Sequence, residues 1–176
     1  MRLASWYKAV YPAVTASIES IMNNPACADQ SPSLASVQVW SAPPLGFLKL
    51  NFDGAMAING NAGGIGGIIR NHLGVVISSY SNRISAGPAI MAELLALKFG
   101  LNLVNSLDEC KNFRIIAEGD CKLIFDWISN PSLCPHQFQN LIQEIVVLGV
   151  QKGCCFRLIP RHVNTEADSL AKRGIG

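Results

Sequence analysis

The stretch of sequence that decides the fold runs from Trp40 to Ala55 and reads WSAPPLGFLKLNFDGA. Within it, Leu48, Leu50 and Phe52 alternate with polar residues, and this period of two predicts a β-strand. The alternation places Asp53 on the face opposite the apolar side chains. A carboxylate in an otherwise apolar strand is costly to bury unless a cation neutralises it. Asp53 is therefore the first candidate site residue.

Three further acids lie in distinctive contexts: Glu93 in MAELLAL, Asp120 in EGDCK and Asp168 in NTEADSLAK. The chain has only 12 acidic residues, so these four acids are a third of them. Each lies at or near the predicted end of a strand or helix, where side chains from separate elements can meet. Clustered carboxylates repel one another unless a cation is present, and their hard oxygens suit Mg²⁺ or Mn²⁺. Such a cage holding two ions is a common apparatus for phosphodiester cleavage.

The hydrophobic pattern downstream predicts the remaining elements in the order βββαβααβα. Two strands between residues 66 and 80 complete an antiparallel meander with the first. The glycines at 63–67 match no phosphate-binding loop and indicate close backbone approach within a strand. The later elements are a helix from Pro88 to about Asn105, a strand over 113–117, helices over 120–129 and 136–149, a strand over 154–159 and a helix over 164–173.

Composition is that of an ordinary folded domain. Hydrophobic residues make up 49% of the chain and charged residues 15%, which favours a packed core over disorder. The net charge of +2 is too small to indicate a nucleic-acid binder by itself, since such domains usually carry a strong basic patch. No uninterrupted run of about 18 apolar residues occurs, so no membrane partner is expected, and a monomer is predicted.

The start of the chain differs from the rest. Residues 24–45 are rich in Asn, Pro, Ser and Ala without periodicity, which is typical of a linker. The expected organisation is an N-terminal helix and linker over 1–45, partly disordered, and a domain over 46–176. Six cysteines without paired CxxC spacing indicate reduced thiols in an intracellular protein of the nucleus or cytoplasm. The first 18 residues lack acids, which leaves an organellar transit peptide open.

The motifs at the two ends resemble those of the type 1 ribonuclease H family, in its plant and retrotransposon-derived branch. That branch opens with W-x-x-P-P-x-G-x-x-K-x-N-x-D-G-A and closes with N-x-x-A-D-x-L-A-K, and both patterns occur here in order, over residues 40–176. The resemblance implies an α/β, ribonuclease H-like fold with a mixed five-stranded sheet, three antiparallel and then two parallel strands, flanked by helices. It also implies a metal-dependent endonuclease that hydrolyses the RNA strand of RNA–DNA hybrids. The implied ligands of two Mg²⁺ ions, replaceable by Mn²⁺, are Asp53, Glu93, Asp120 and Asp168.

Three of these acids also have plain structural explanations. Glu93 and Asp168 fall in the first turns of predicted helices, where the helix dipole favours a negative charge. Asp120 follows a strand and begins a helix, so it would serve as an N-cap. Glu118 lies two residues earlier and should point the same way on an extended chain. The family pattern places the ligand at Asp120.

A loop histidine is the last residue that the resemblance brings forward. Cellular members carry one before the final helix, and His162 is the candidate here, although it lies only six residues before Asp168 and is alternatively a surface loop residue. Ala89 and Ile90 stand where hybrid-binding members often have asparagines, and residues 129–135 carry no Lys or Arg. These differences predict modest, salt-sensitive affinity. They leave open a domesticated nucleic-acid-binding module with negligible turnover.

Overall fold

The computed structural model describes residues 38–176. The predictions of an N-terminal helix and of a transit peptide, and most of the predicted linker, lie outside the described residues. The division of the chain between residues 45 and 46 stays a prediction.

The sheet has the predicted mixed topology. Its strand order is β3-β2-β1-β4-β5, in which β1 pairs with β2 and β2 with β3 antiparallel, while β4 is parallel to both β1 and β5. The order βββαβααβα is confirmed. The strands are β1 Phe47–Met56, β2 Ala62–Arg70, β3 Val76–Ser85, β4 Arg114–Gly119 and β5 Cys155–Leu158. The helices are α1 Ala89–Ser106, α2 Lys122–Ser129, α3 His136–Gln151 and α4 Thr165–Ile175.

Helix α1 covers the apolar face of β1. Leu50 and Phe52 are completely buried there, and a Cβ placed on Gly100 of α1 would lie 2.7 Å from Leu50 Cδ2. By length and composition alone, α1 would be long and apolar enough to cross a membrane, at a mean hydropathy of 1.2. Its buried residues instead pack in the same cluster as those of the sheet, which is the position of a core helix.

Helix α4 packs directly on the glycines of β2. A Cβ on Gly64 would lie 2.0 Å from the Ala171 carbonyl oxygen, and one on Gly66 would lie 2.2 Å from the Ala171 nitrogen. Real Cβ atoms do not approach backbone so closely, so only glycine permits this packing. The predicted close backbone approach at residues 63–67 is confirmed. Its consequence is that the helix carrying Asp168 lies against the sheet beside β1.

The polar face of β1 is also buried. Lys49 and Asn51 are each only 3% exposed. Lys49 Nζ lies 2.8 Å from Glu118 Oε1 and donates to the Ser41 carbonyl at 2.7 Å. Asn51 accepts from Trp40 Nε1 at 2.9 Å and donates to Glu118 Oε2 at 3.2 Å. We call these five residues the Lys49 network; it ties the segment before β1 to the sheet.

Two local predictions are corrected. Helix α2 begins at Lys122 rather than Asp120, because Asp120 still belongs to the turn after β4 and Cys121 occupies the N-cap position. The thiols of Cys110, Cys121, Cys134 and Cys154 are free, as predicted. Cys155 is disulfide-bonded, so the prediction of reduced cysteines is wrong for that residue.

Candidate metal centre

Three of the predicted acids converge at one edge of the sheet. Asp53 lies on β1, Glu93 on α1, and Asp120 directly after β4, which runs parallel to β1. One carboxylate oxygen of each lies within 4.8 Å of the other two. Since neighbouring parallel strands end at the same edge, the ends of β1 and β4 bring Asp53 and Asp120 together.

The glycine that follows Asp53 allows Glu93 to reach the cluster. A Cβ on Gly54 would lie 2.3 Å from the Glu93 backbone nitrogen, so a larger residue would push α1 away from β1. Glu93 lies beyond the first turn of α1, which contains no acid. The helix dipole acts mainly within the first turn, so it does not account for a carboxylate at this position.

Burial and mutual repulsion dominate the electrostatics of the cluster. Burial, and next the charges of Asp120 and Asp168, raise the pKa of Asp53 to about 7. Burial, and next repulsion from Asp53 and Asp120, raise the pKa of Glu93 to about 9. A hydrogen bond joins the two side chains. It lowers the pKa of Asp53 and raises the pKa of Glu93. Without a cation, both shifts favour a protonated Glu93 whose hydroxyl donates a hydrogen bond to Asp53.

The donor atoms fit a hard divalent cation. Glu93 Oε2 is buried and has no hydrogen-bond partner among residues 38–176. Leaving a carboxylate oxygen buried without a partner is costly, and a cation at the cluster would satisfy it. Carboxylate oxygens from three elements form a donor set that suits Mg²⁺ or Mn²⁺.

Asp168 lies at the rim rather than within the group of three. It occupies the first turn of α4 with its side chain 22% exposed, and Lys172 Nζ lies 2.5 Å from its Oδ2. Its charge nevertheless raises the pKa of Asp53. The dipole explanation therefore remains compatible with Asp168. Glu166, two residues before Asp168, is 67% exposed and pairs with Arg70.

The N-cap explanation for Asp120 is wrong. Cys121 is the N-cap of α2, and no side-chain cap hydrogen bond is made there within the described chain. Asp120 instead accepts a hydrogen bond from Asn164 Nδ2 at 3.1 Å. Glu118, the acid that the sequence could confuse with it, belongs to the Lys49 network.

Asn164, which the sequence shows only as the first residue of the closing motif, is a site residue. It occupies the N-cap position of α4 without making a side-chain cap bond. Its Nδ2 donates to the Phe52 carbonyl at 2.9 Å as well as to Asp120, and the residue is 2% exposed. Asn164 Oδ1 is buried without a hydrogen-bond partner in the described part of the chain. The side chain thus fixes Asp120 relative to β1.

The loop before α4 directs an arginine, not the histidine, toward the acids. Arg161 Nε lies 4.0 Å from Asp120 Oδ2, and its Nη2 lies 3.8 Å from Asp168 Oδ1. Its positive charge lowers the pKa of Asp53, against the larger effect of burial. His162 is exposed, with Nε2 3.0 Å from the Gln38 carbonyl oxygen. A proton-transfer role for His162 stays a prediction.

Comparison with known sequences agrees with this geometry. A family model described as "Reverse transcriptase-like" matches residues 51–174, well over half of the chain. An Arabidopsis thaliana protein named "Putative ribonuclease H protein" is 29% identical over 132 residues, which cover 75% of this chain and 20% of that protein. The chain therefore spans about a fifth of the length of this curated relative.

Solved structures show the same fold. LC11-RNase H1, isolated from compost by a metagenomic approach, has a TM-score of 0.67 at 22% identity, covering 74% of this chain and 96% of that chain. The structure of LC11-RNase H1 in complex with an RNA/DNA hybrid has a TM-score of 0.65 at 22% identity, covering 73% of this chain and 96% of that chain. The N-terminal RNase H domain of Rv2228c from Mycobacterium tuberculosis has a TM-score of 0.63 at 21% identity, covering 73% of this chain and 92% of that chain. The chain belongs to the reverse transcriptase-like family and has the ribonuclease H-like fold.

Proposed function

We propose that this domain is a metal-dependent endonuclease that hydrolyses the RNA strand of RNA–DNA hybrids, leaving a 3′-hydroxyl and a 5′-phosphate. The observation that carries the proposal is the convergence of Asp53, Glu93 and Asp120 within 4.8 Å. The ribonuclease H-like fold supports it, as does the relative LC11-RNase H1, which is solved with an RNA/DNA hybrid.

Each residue contributes a distinct property to the centre. Asp53, Glu93, Asp120 and Asp168 would hold two Mg²⁺ ions. When bound, such ions activate the attacking water and stabilise the leaving oxygen of a phosphodiester. Glu93 must lose its shared proton before its oxygens act as ligands, so cation affinity rises with pH. Asn164 holds the Asp120 carboxylate in place through its Nδ2.

A second candidate function is nucleic-acid binding with negligible turnover. The contact of His162 with the Gln38 carbonyl favours it, because an imidazole held there does not touch the acids. The positions before Glu93, Ala89 and Ile90, also lack the side chains that often read the RNA strand. The four acids favour the enzyme over this alternative.

A cleavage assay on an end-labelled RNA–DNA hybrid distinguishes the two functions. If the domain is an endonuclease, the RNA strand should be cleaved in Mg²⁺ but not in EDTA, and duplex DNA should stay intact. Asp53→Asn should lower the rate by about a thousandfold or more, an apparent loss of about 4 kcal/mol of transition-state stabilisation. Asp108→Asn removes one exposed carboxylate from the turn after α1 and is the matched control, which should keep the wild-type rate. Hybrid binding without cleavage by the wild type would support the second function, and an active Asp53→Asn would refute the site.

A further inference from the structure

Arg161 approaches the acids without binding them tightly. It lies in the short 3-10 turn Arg161–Val163 between β5 and α4. Its distances of 4.0 Å to Asp120 and 3.8 Å to Asp168 are longer than those of direct hydrogen bonds. The side chain is 80% exposed. The guanidinium is therefore held mainly by electrostatic attraction, and it can move into solvent without breaking a packed contact.

A groove of about 540 Å³ adjoins Asp120 on the side of Arg161. Lys122, the first residue of α2, also lines it. The only ion pair that the structure records for Lys122 within residues 38–176 joins it to Asp126, and the lysine side chain is 70% exposed. Solvent weakens such a surface pair. Two cationic side chains thus line one groove next to an acid of the candidate metal centre.

We propose that Arg161 is an exchangeable counter-cation of the centre. While no divalent cation is bound, it partly neutralises Asp120 and shares Asp168 with Lys172. When the centre is filled, it binds a backbone phosphate of the nucleic acid in the adjoining groove. The inference rests on the proposed function. A divalent cation on these carboxylates removes their attraction for the guanidinium. A phosphate then offers paired oxygens that match the donor fork of arginine, and Lys122 adds a second positive charge.

The first test measures metal affinity without nucleic acid. Mn²⁺ is titrated calorimetrically into the wild type, Arg161→Gln and Arg173→Gln. Arg173 is an exposed arginine in the last turn of α4, so its variant makes the same charge change on a neighbouring element. Removing the guanidinium should remove a competitor for the carboxylates and tighten Mn²⁺ binding by about two- to fivefold. Arg173→Gln should bind Mn²⁺ as the wild type does.

The second test measures nucleic-acid affinity without turnover. A fluorescent duplex of DNA and 2′-O-methyl RNA, verified to stay uncut, is titrated in Mg²⁺ at several KCl concentrations. Arg161→Gln should bind more weakly, and the slope of log K against log[KCl] should become shallower by about one unit. Arg161→Lys keeps the charge, so it should restore the slope and only part of the affinity. Arg173→Gln should keep the wild-type slope.

Opposite changes in the two affinities are the expected result, because a folding defect would weaken both. The inference would be overturned if Arg161→Gln and Arg173→Gln had the same Mn²⁺ affinity or the same duplex affinity. It would also be overturned if Arg161→Gln lost affinity for both ligands. If the wild type cleaves hybrids and only the Arg161 effects are missing, the proposed function stands. If the wild type neither binds Mn²⁺ nor cleaves, the proposed function and this inference both fail.

Discussion

Two groups of buried charges lie side by side on β1 and are neutralised in different ways. In the Lys49 network, Lys49 and Glu118 are both 3% exposed and pair at 2.8 Å, so the chain supplies both charges. Four residues further along the strand, Asp53 is 5% exposed and its cluster partners are Glu93 and Asp120. The first group is complete within the protein. The second keeps a shared proton or takes up a cation, which is what distinguishes a site from a structural ion pair.

Removing the buried positive charge of Lys49 should produce the largest loss of stability. Lys49→Met leaves Glu118 buried with Arg157 Nη1, 3.6 Å away, as its remaining positive partner, at a cost of up to about 3–5 kcal/mol. Urea denaturation monitored by circular dichroism measures this loss. Lys111→Met breaks an exposed pair with Asp108 and is the control, with an expected change below about 1 kcal/mol.

The double variant Lys49→Met/Glu118→Gln tests the cause. Glutamine removes the charge that has lost its closest partner, since Arg157 Nη1 lies 3.6 Å away, and it retains a polar group that bonds Asn51. Much of the lost stability should therefore return. A double variant as unstable as Lys49→Met alone would show that packing of the lysine, and not charge compensation, stabilises this region.

The acid cluster should show the reverse behaviour. Since the folded-state pKa values of Asp53 and Glu93 are raised to about 7 and about 9, the folded protein binds more protons than the unfolded chain between about pH 4 and 9. The metal-free protein should therefore lose stability as pH rises through that range, and most of the loss should be present above pH 9. Asp53→Asn should flatten this dependence and raise the thermal midpoint at pH 8 in EDTA.

Mg²⁺ provides the complementary measurement on the same protein. A ligand that binds only the folded state raises its stability, so the thermal midpoint of the wild type at pH 8 should rise with Mg²⁺ concentration. Asp53→Asn should show little of this rise. A wild type whose midpoint is independent of both pH and Mg²⁺ would contradict the description of the cluster as a group of acids that the chain's own cations neutralise only in part.

The sequence predicts the acid cluster better than it predicts the Lys49 network. Alternation around Leu50 and Phe52 identifies β1 and the position of Asp53, and the motifs identify the other acids. Burial of the polar face could not be predicted, because Asn51 bonds Glu118, 67 residues away in the chain. Asn164 likewise reaches Asp120 across 44 residues. Local patterns identify strands and helix ends, whereas these pairings arise only when β4 and α4 dock beside β1.

Asn164 provides a smaller, more local test of the acid cluster. Asn164→Ala removes the hydrogen bond to Asp120 without removing a carboxylate, and such supporting residues typically contribute about 10- to 100-fold to metal affinity or activity. The Mn²⁺ affinity measured by calorimetry and the kcat measured in Mg²⁺ should both fall. At high Mn²⁺ concentration, kcat should recover in part. Ser169→Ala, on the exposed side of α4, is the control. Unchanged Mn²⁺ affinity would show that Asn164 acts only in packing.

Two truncations test where the Lys49 network begins. Removing residues 1–38 should leave a folded and active protein, since that stretch carries no motif. All chains are compared in a reducing agent, so that the Cys155 disulfide is open in each of them. Removing residues 1–45 also deletes Trp40 and Ser41, which contact Asn51 and Lys49. It should cost about 1–3 kcal/mol, because buried polar groups lose their partners. Urea denaturation compares the two chains, and equal stability would show that these contacts contribute little.

The smallest expected effect concerns His162. General acid–base assistance typically contributes a factor of about 10²–10⁴, but the imidazole contacts the Gln38 carbonyl and not the acids. We therefore expect His162→Ala to lower kcat only by about two- to fivefold, with KM nearly unchanged. Steady-state cleavage of a short hybrid in Mg²⁺ measures both constants, and His136→Ala at the start of α3 serves as the control. A loss beyond about a hundredfold would show that His162 reaches the reacting groups during turnover. The loop before α4 would then act through its histidine as well as through Arg161.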